Sequence, residues 1–298
     1  MVAFTGEIAA LTAALFWAIA TWIYSHCSQR FGAMPLNVIK GVIASLLLLI
    51  ALLLSDASVG IPSGSAWGWL IISGVIGIAI GDTAYFAALR RMGPRKVLLM
   101  ESLAPPLTGV LALLVLNEAI TVTAALGMLV TLTGVIYVLR QQSHDDNEPS
   151  ICKKGLFYGA LAAVCQAVGV LLSHYALVDA DVAPLWGALI RLVAGTLVIA
   201  LLLGLRQEIH KQLIKPLLAM DMRNGAILTV AIVVGTFLAI WLQQVSLKYA
   251  NAAVAQTLMA TSPLFALPIA WLRGNPPTFK IWLGTLSAVA GIAMIMFG

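Results

Sequence analysis

The feature of this sequence that most constrains its fold is a series of apolar segments about as long as a bilayer is thick. A helix rises about 1.5 Å per residue, so roughly 20 residues cross a hydrocarbon core of about 30 Å. The chain of 298 residues contains ten such segments, five in each half. Their approximate ranges are 6–25, 36–54, 67–89, 97–116, 121–139, 155–177, 184–204, 225–247, 251–272 and 279–297. The sequence therefore predicts an all-α polytopic membrane protein with ten transmembrane helices.

Basic residues alternate between the loops, and the alternation reverses in the second half. In the first half they follow the first and third segments, whereas the loops after the second and fourth hold no Lys or Arg. In the second half they follow the seventh and ninth segments, and the other two loops hold only Lys248. Because five is odd, a duplicated five-helix unit enters the membrane in the opposite orientation the second time. We therefore predict two inverted five-helix repeats, 1–139 and 155–298, joined by a charged linker, 140–154.

The distribution of positive charge also predicts an orientation in the membrane. Of the 17 Lys and Arg residues, only Lys40, Arg191 and Lys248 lie away from one face of the predicted bundle. Basic loops stay in the cytoplasm, so we expect both termini outside, in the inner (plasma) membrane of a bacterium. This topology accounts for the net charge of +5. We accordingly expect a lipid bilayer, and no nucleic acid, as the partner of this chain.

The composition argues against an enzyme. With 61% hydrophobic and 10% charged residues, the sequence leaves no room for a soluble domain. It has no phosphate-binding loop, no dinucleotide-binding glycine motif and no His-Glu-x-x-His pair. Cys27, Cys152 and Cys165 lack metal-ligand spacing. An intramembrane aspartyl protease would need two membrane aspartates, and Asp82 is the only one within a predicted segment. We therefore expect no cofactor, no metal and no catalytic residues.

Individual residues repeat between the halves as well. Gly6 matches Gly155 at an offset of 149 residues, and Lys40 matches Arg191 when two residues are inserted. Further along, the offset is 158 residues, and it matches Leu89, Arg90, Pro105 and Asn117 with Leu247, Lys248, Pro263 and Asn275. A proline inside a helix removes a backbone hydrogen bond and bends the axis. We therefore expect matched kinks in the fourth and ninth helices, which would open a cavity between the halves.

Two stretches of the chain resemble a known family. They are residues 103–139, LAPPLTGVLALLVLNEAITVTAALGMLVTLTGVIYVL, and residues 260–296, ATSPLFALPIAWLRGNPPTFKIWLGTLSAVAGIAMIM. Both are similar to the EamA family of the drug/metabolite transporter superfamily. The second copy departs by having Gly274-Asn275-Pro276 where the family usually has a Glu matching Glu118. The resemblance implies a transporter fold, in a family whose members export amino acids, drugs and other metabolites.

One basic and two acidic residues form a candidate cluster in the first half. Asp82 and Glu101 flank the basic turn 90–96 almost symmetrically, so in a helix hairpin they lie at similar depth. Lys40 lies about one and a half turns into the second helix from the same face. If it pairs with one carboxylate, the other is left free to take up and release a proton, and we favour Glu101 for this role. The alternatives are a structural ion pair and a Lys40 that reaches the interface.

The second half has its own polar set, nearer the opposite face: His174, Arg191, Gln243, Gln244 and Gln256. Arg191 has no evident acidic partner within the membrane. It could bind a substrate carboxylate or phosphate, or it could bind helix-end carbonyls or Asp181. His174 lies near a helix end, where we expect a solvated side chain. Asn117 and Glu118 are expected to cap the fifth helix.

Four further residues could line a cavity with aromatic and amide groups. Trp17 and Gln166 occupy matched positions, as do Tyr85 and Gln243, and Trp241 lies near them in the alignment. Such groups suit a binding site for an amphipathic small molecule. For each aromatic side chain, packing or lipid contact is the open alternative.

Inverted repeats that face one another are typical of transporters working by alternating access. We therefore expect a secondary active transporter that exports small metabolites such as amino acids, with proton coupling as an open possibility. An exchanger, a facilitator or an importer of the same fold is the nearest alternative, and a channel or an intramembrane enzyme is the alternative from another class. Ten helices can enclose a cavity in one chain, so either a monomer or a homodimer is compatible with the sequence.

Overall fold

The computed structural model describes residues 4–55, 61–118, 120–141, 152–205, 207, 209–272 and 278–297. Most of the predicted linker 140–154 and the segment Gly274-Asn275-Pro276 lie outside these residues. Over the described ranges every regular element is a helix.

Nine helices in the described part of the chain are long and apolar enough to cross a membrane. We label them α1 to α8 and α10, and they have the bounds Thr5–Phe31, Ala33–Leu54, Ala66–Pro94, Lys96–Leu116, Val122–Gln141, Lys153–Asp179, Pro184–Leu205, Met222–Tyr249 and Phe279–Phe297. The remaining predicted helix, α9, consists of two pieces, Ala252–Met259 and Ser262–Leu272. Two short helical pieces, Ile209–Ile214 and Lys215–Leu218, connect α7 to α8. The predicted fold of ten membrane helices is confirmed.

The helices pack across the two repeats in matched pairs. Helix α1 packs against α8, and its counterpart α6 packs against α3. Helices α2 and α7 also face one another, as do α5 and α10. In each pair one helix comes from each half of the chain. The interior of the protein is therefore an interface between the repeats.

The backbone irregularities repeat with the same offset as the sequence. A wider π-helical stretch, Val75–Asp82, interrupts α3, and Val233–Leu238 interrupts α8 at a start 158 residues later. Helix α4 is broken at residues 102–103 and α9 at residues 260–261, again 158 residues apart. Both breaks come just before the matched prolines Pro105 and Pro263, so the predicted interruptions of the fourth and ninth helices are present.

Glycines allow α5 and α10 to approach at backbone distance. A Cβ atom added to Gly134 would lie 2.7 Å from the carbonyl oxygen of Gly284, and one on Gly127 would lie 2.8 Å from that of Gly291. Small residues at such positions permit close helix packing in a membrane. This pair of helices stands beside the other eight and leaves the interior to α1–α4 and α6–α9.

Candidate functional site

A cavity of about 800 Å³, counting the space that opens out of it, lies between the two repeats. Helices α1, α3 and α4 line it from the first repeat, and α6 to α9 line it from the second. Its lining includes the polar or aromatic residues Trp17, Asp82, Glu101, Ser102, Gln166, Arg191, Gln243, Gln256 and Ser262. Members of both polar sets, which were predicted at separate depths, thus face one common space.

Lining positions pair across the repeats, although the residues that occupy them differ. The matched lining pairs are Trp17 and Gln166, Asp82 and Ile240, Leu98 and Gln256, Glu101 and Met259, Ser102 and Ala260, and Ala104 and Ser262. The cavity therefore lies on the axis that relates the repeats. In most pairs, a polar residue in one repeat is matched with an apolar residue in the other. The two walls of the cavity therefore differ chemically.

Asp82 is held by a buried lysine from behind the cavity wall. The Lys40 ammonium is fully buried, forms an ion pair with the Asp82 carboxylate, and lies 5.3 Å from the ring centre of Phe86. Nearby, Asn37 Nδ2 donates to the carbonyl oxygen of Ile78 at 2.8 Å and to Thr83 Oγ1 at 3.0 Å. These bonds fix α2 against the π-helical stretch of α3. Of the predicted three-residue cluster, only Lys40 and Asp82 are paired.

Glu101 faces the cavity without a basic partner. It is the last residue before the break in α4. Among the described residues, the ion pairs within 4.0 Å do not include it. The Trp17 indole lies beside it, and that ring packs against Tyr85 with the centroids 5.5 Å apart. Glu101 is therefore a carboxyl group on the cavity wall without an ion-pair partner among the described residues.

Arg191 is also nearly without partners. Its side chain is 2% exposed, and Nη1 donates to Gln243 Oε1 at 3.5 Å, the limit of a hydrogen bond. Its Nε has no partner among the described residues. The proposed alternative of a bond to Asp181 is wrong, because Asp181 is held instead by Lys248, with the ammonium 2.7 Å from Oδ1. This hydrogen bond and the charge of Lys248 lower the pKa of the Asp181 carboxyl.

Four predicted residues do not line the cavity. Lys40 lies behind it. Gln244 is buried and accepts a hydrogen bond from Ser173 at 2.5 Å. Tyr85 packs behind Trp17, with its hydroxyl 3.3 Å from Thr21 Oγ1, and Trp241 packs on the central hydrophobic cluster. For these two aromatic residues, packing is the alternative that the structure supports. The amides on the cavity are Gln166, Gln243 and Gln256, and the Gln256 Oε1 has no partner within the described chain.

A second polar group joins the repeats at the end of the molecule away from the basic loops. His174 Nε2 contacts the Glu118 carboxylate, and its Nδ1 lies 2.5 Å from the carbonyl oxygen of Leu247. The expectation of a solvated His174 is wrong, since only 4% of it is exposed. Glu118 does not cap α5. Instead, Thr121 Oγ1 accepts from the Ala124 amide at 3.2 Å.

Sequence reasoning missed the small lining residues at the helix breaks. Ser102, Ala260 and Ser262 lie on the cavity at the breaks in α4 and α9. There the amides of Leu103 and Thr261 bond to the carbonyl oxygen three residues back instead of four. The prolines at 105 and 263 were the available indication of their position. In the described part of the chain, no group of three His, Cys, Asp or Glu side chains is arranged to hold a metal ion.

Comparison with known proteins points to one family. The model of the EamA-like transporter family matches the chain twice, over residues 4–140 and 153–297. No curated protein matches it. A crystal structure described only as that of a protein superposes with a TM-score of 0.73 at 17% identity, covering 98% of this chain and 96% of the other. At this identity the likeness concerns the fold alone.

Proposed function

Because the chain belongs to the EamA-like transporter family, we propose that it is a secondary active transporter that exports small metabolites such as amino acids or related amphipathic compounds. As a member of the drug/metabolite transporter superfamily, it is an integral membrane transporter. The observation that carries the proposal is the cavity between the repeats, which is lined by Glu101 and Arg191 without ion-pair partners among the described residues. Such groups are costly inside a membrane and mark the path of a substrate or coupling ion.

Alternating access would move the two repeats relative to one another around this cavity. Inverted repeats with interrupted helices at the membrane midplane are the usual construction of such transporters. Here the interruptions in α4 and α9 border the cavity from both repeats. In this proposal, closing one end of the cavity opens the other, and the substrate stays bound near the breaks.

Glu101 is our candidate for the group that couples transport to protons. Lys40 compensates the charge of Asp82, whereas Glu101 has no basic partner among the ion pairs of the described residues. A carboxyl group in that situation can be neutral or ionised according to what else occupies the cavity. Proton uptake from one side and release to the other would then drive export.

The first test is metabolite profiling of the medium around cells that express the wild type, Glu101→Gln or an empty vector. We expect at least one compound to accumulate outside with the wild type only, because Glu101→Gln removes the proton-binding group and keeps the shape of the side chain. Glu7→Gln, at the start of α1, is the matched control and should export like the wild type.

The outcomes separate the hypotheses. Export by Glu101→Gln at the wild-type rate would rule out proton coupling through Glu101 and favour an exchanger or facilitator of the same fold. If the media of wild-type and vector cells contained the same compounds at the same levels, that result would contradict export itself. Flux against a concentration gradient in proteoliposomes would distinguish a transporter from a channel.

The orientation and the assembly remain part of the proposal. We propose that the basic loops face the cytoplasm of a bacterium, that both termini lie outside, and that one chain or a homodimer suffices. The support is the asymmetry of Lys and Arg between the loops. Labelling of single cysteines in the loops 62–65 and 219–221 with a membrane-impermeant maleimide on intact cells tests it. Only the first should react.

A further inference from the structure

We propose that Arg191 and Gln243 form a binding site for the carboxylate group of the transported molecule. This inference rests on the proposed transport function and specifies the substrate as a compound bearing a single carboxylate. The site lies on the second repeat, on the wall of the cavity formed by α7 and α8.

The comparison of matched positions in the two repeats is the first support. Lys40 on α2 and Arg191 on α7 are matched, and both are buried. In the first repeat Asp82 neutralises Lys40. The position matched to Asp82 in the second repeat is Ile240, which also lines the cavity. Arg191 therefore occupies the place of a paired lysine, but the acidic partner is replaced by an apolar side chain.

The unused hydrogen-bonding capacity of Arg191 is the second support. A guanidinium has five N–H donors in a planar fork. Within the described chain, Arg191 makes one hydrogen bond at 3.5 Å, and its Nε has no partner. A buried charge without a partner is strongly disfavoured. An anion in the adjoining cavity would supply both the missing charge and the missing acceptors.

The surrounding backbone holds the guanidinium in place. Gly77 of α3 lies under it, since a Cβ atom at that position would be 3.3 Å from Arg191 Nη2. The backbone of α3 and α7 is also in direct contact next to this point, where a Cβ added to Gly195 would meet the Gly74 carbonyl oxygen at 2.7 Å. The arginine thus packs against the backbone of α3 on one side and borders the cavity on the other. Such packing holds the guanidinium in place for the recognition of an anion.

The charge balance favours a carboxylate over a phosphate. Lys40 and Asp82 compensate each other, so when Glu101 carries its proton one positive charge, that of Arg191, remains to be neutralised. A carboxylate brings one negative charge and accepts two parallel hydrogen bonds from an arginine. A phosphate monoester carries close to two charges, and the second would lie uncompensated beside Asp82 and Glu101. A compound with one carboxylate and an apolar part that reaches Trp17 fits this cavity.

Binding of a small probe pair to the purified protein tests the site without transport. Hexanoate and hexanamide have the same chain and differ in charge at neutral pH. We expect hexanoate to raise the melting temperature of the wild type in detergent, since a ligand that binds only the folded state stabilises it. Hexanamide at equal concentration should raise it much less. No effect of hexanoate, or equal effects of the two probes, would overturn the proposal.

Two pairs of variants test the role of Arg191 and its charge. Arg191→Gln should weaken hexanoate binding by about tenfold or more, as expected for a lost charge-assisted hydrogen bond, and Arg223→Gln, on an exposed arginine, should not. Ile240→Asp rebuilds the first repeat's ion pair beside Arg191 and should also abolish binding, whereas Ile240→Asn should retain most of it. Hexanoate binding by Arg191→Gln or by Ile240→Asp equal to that of wild type would contradict the site.

Export measurements then separate this inference from the proposed function. If the wild type exports carboxylate compounds and Arg191→Gln does not, both hold. Export of compounds that lack any acidic group, at equal rates in wild type and Arg191→Gln, would refute the carboxylate site and leave the transport function standing. Probe binding without export of any compound would refute the function and leave the site standing.

Discussion

Asp82 shows how one side chain can belong to the cavity and to the framework at the same time. Its carboxylate lines the cavity, and its charge is compensated by Lys40 on the opposite side. The ion pair ties α2 to the π-helical stretch of α3, where Asn37 adds two hydrogen bonds. At this residue the structural interpretation of the acidic cluster is the one that the geometry favours.

Removing one partner of this pair should destabilise the protein. Asp82→Asn leaves the buried Lys40 ammonium uncompensated, and we expect a loss of about 3 kcal/mol in the free energy of unfolding. Lys40→Met should cost a similar amount. The double variant Lys40→Met/Asp82→Leu should be more stable than either single variant, because it leaves no unpaired charge. Reversible unfolding in mixed micelles measures all three. Additive losses in the double variant would contradict the pairing.

At the scale of the helices, close contact between α5 and α10 depends on the absence of side chains at four glycines. A Cβ on Gly291 would lie 2.5 Å from the Thr131 amide nitrogen and 2.6 Å from the Gly127 carbonyl oxygen. Both are backbone atoms, so the conflict cannot be relieved by a rotamer change. Only a separation of the two helices could accommodate it.

Gly291→Ala should therefore lower the melting temperature, and Gly68→Ala is its matched control. At Gly68 an added Cβ would meet nothing within 4 Å. In an exposed part of a helix, alanine is favoured over glycine by about 1 kcal/mol, so Gly68→Ala should be neutral or stabilising. A thermal unfolding series in detergent compares them. Equal melting temperatures for the two variants would show that α5 and α10 do not pack as described.

Helix positions, their pairing into repeats and the interruptions near Pro105 and Pro263 were predictable because hydropathy and proline placement act along the chain. Which side chains share a cavity was not. Depth estimates placed Arg191 and Glu101 near opposite faces, yet both line one cavity. The contact of His174 with Glu118 had no indication either, since 56 residues, including the whole of α5, separate them.

At the scale of the whole molecule, the contacts of His174 with Glu118 and Leu247 connect the repeats at one end. They link the loop between α4 and α5 to helices α6 and α8. Glu118 Oε1 contacts His174, while Glu118 Oε2 is buried without a partner in the described chain. We predict that this contact must break for that end of the cavity to open.

His174→Ala should shift the conformational equilibrium toward the state open at that end. A cysteine at Gln256, in a background without native cysteines, should react faster with an impermeant maleimide added from the side of the α4–α5 loop. Asp181→Asn removes the neighbouring exposed ion pair, which contributes at most about 1 kcal/mol, and should change the rate little. The same rate in His174→Ala and wild type would show that this contact does not close the cavity.

In the alternating-access mechanism that we propose, exchanging the conformations of the two repeats, with their matched breaks in α4 and α9, would yield the oppositely facing state. In that state, the bonds of His174 and Glu118 would have to be reproduced at their counterparts, which are Ser25 and Pro276. A proline side chain has no hydrogen-bonding group, so it cannot take the place of the Glu118 carboxylate. We therefore expect the two orientations to differ in energy. Without substrate, the protein would mainly populate one orientation. The binding energy of the substrate would have to offset the energy difference for the other orientation to be reached.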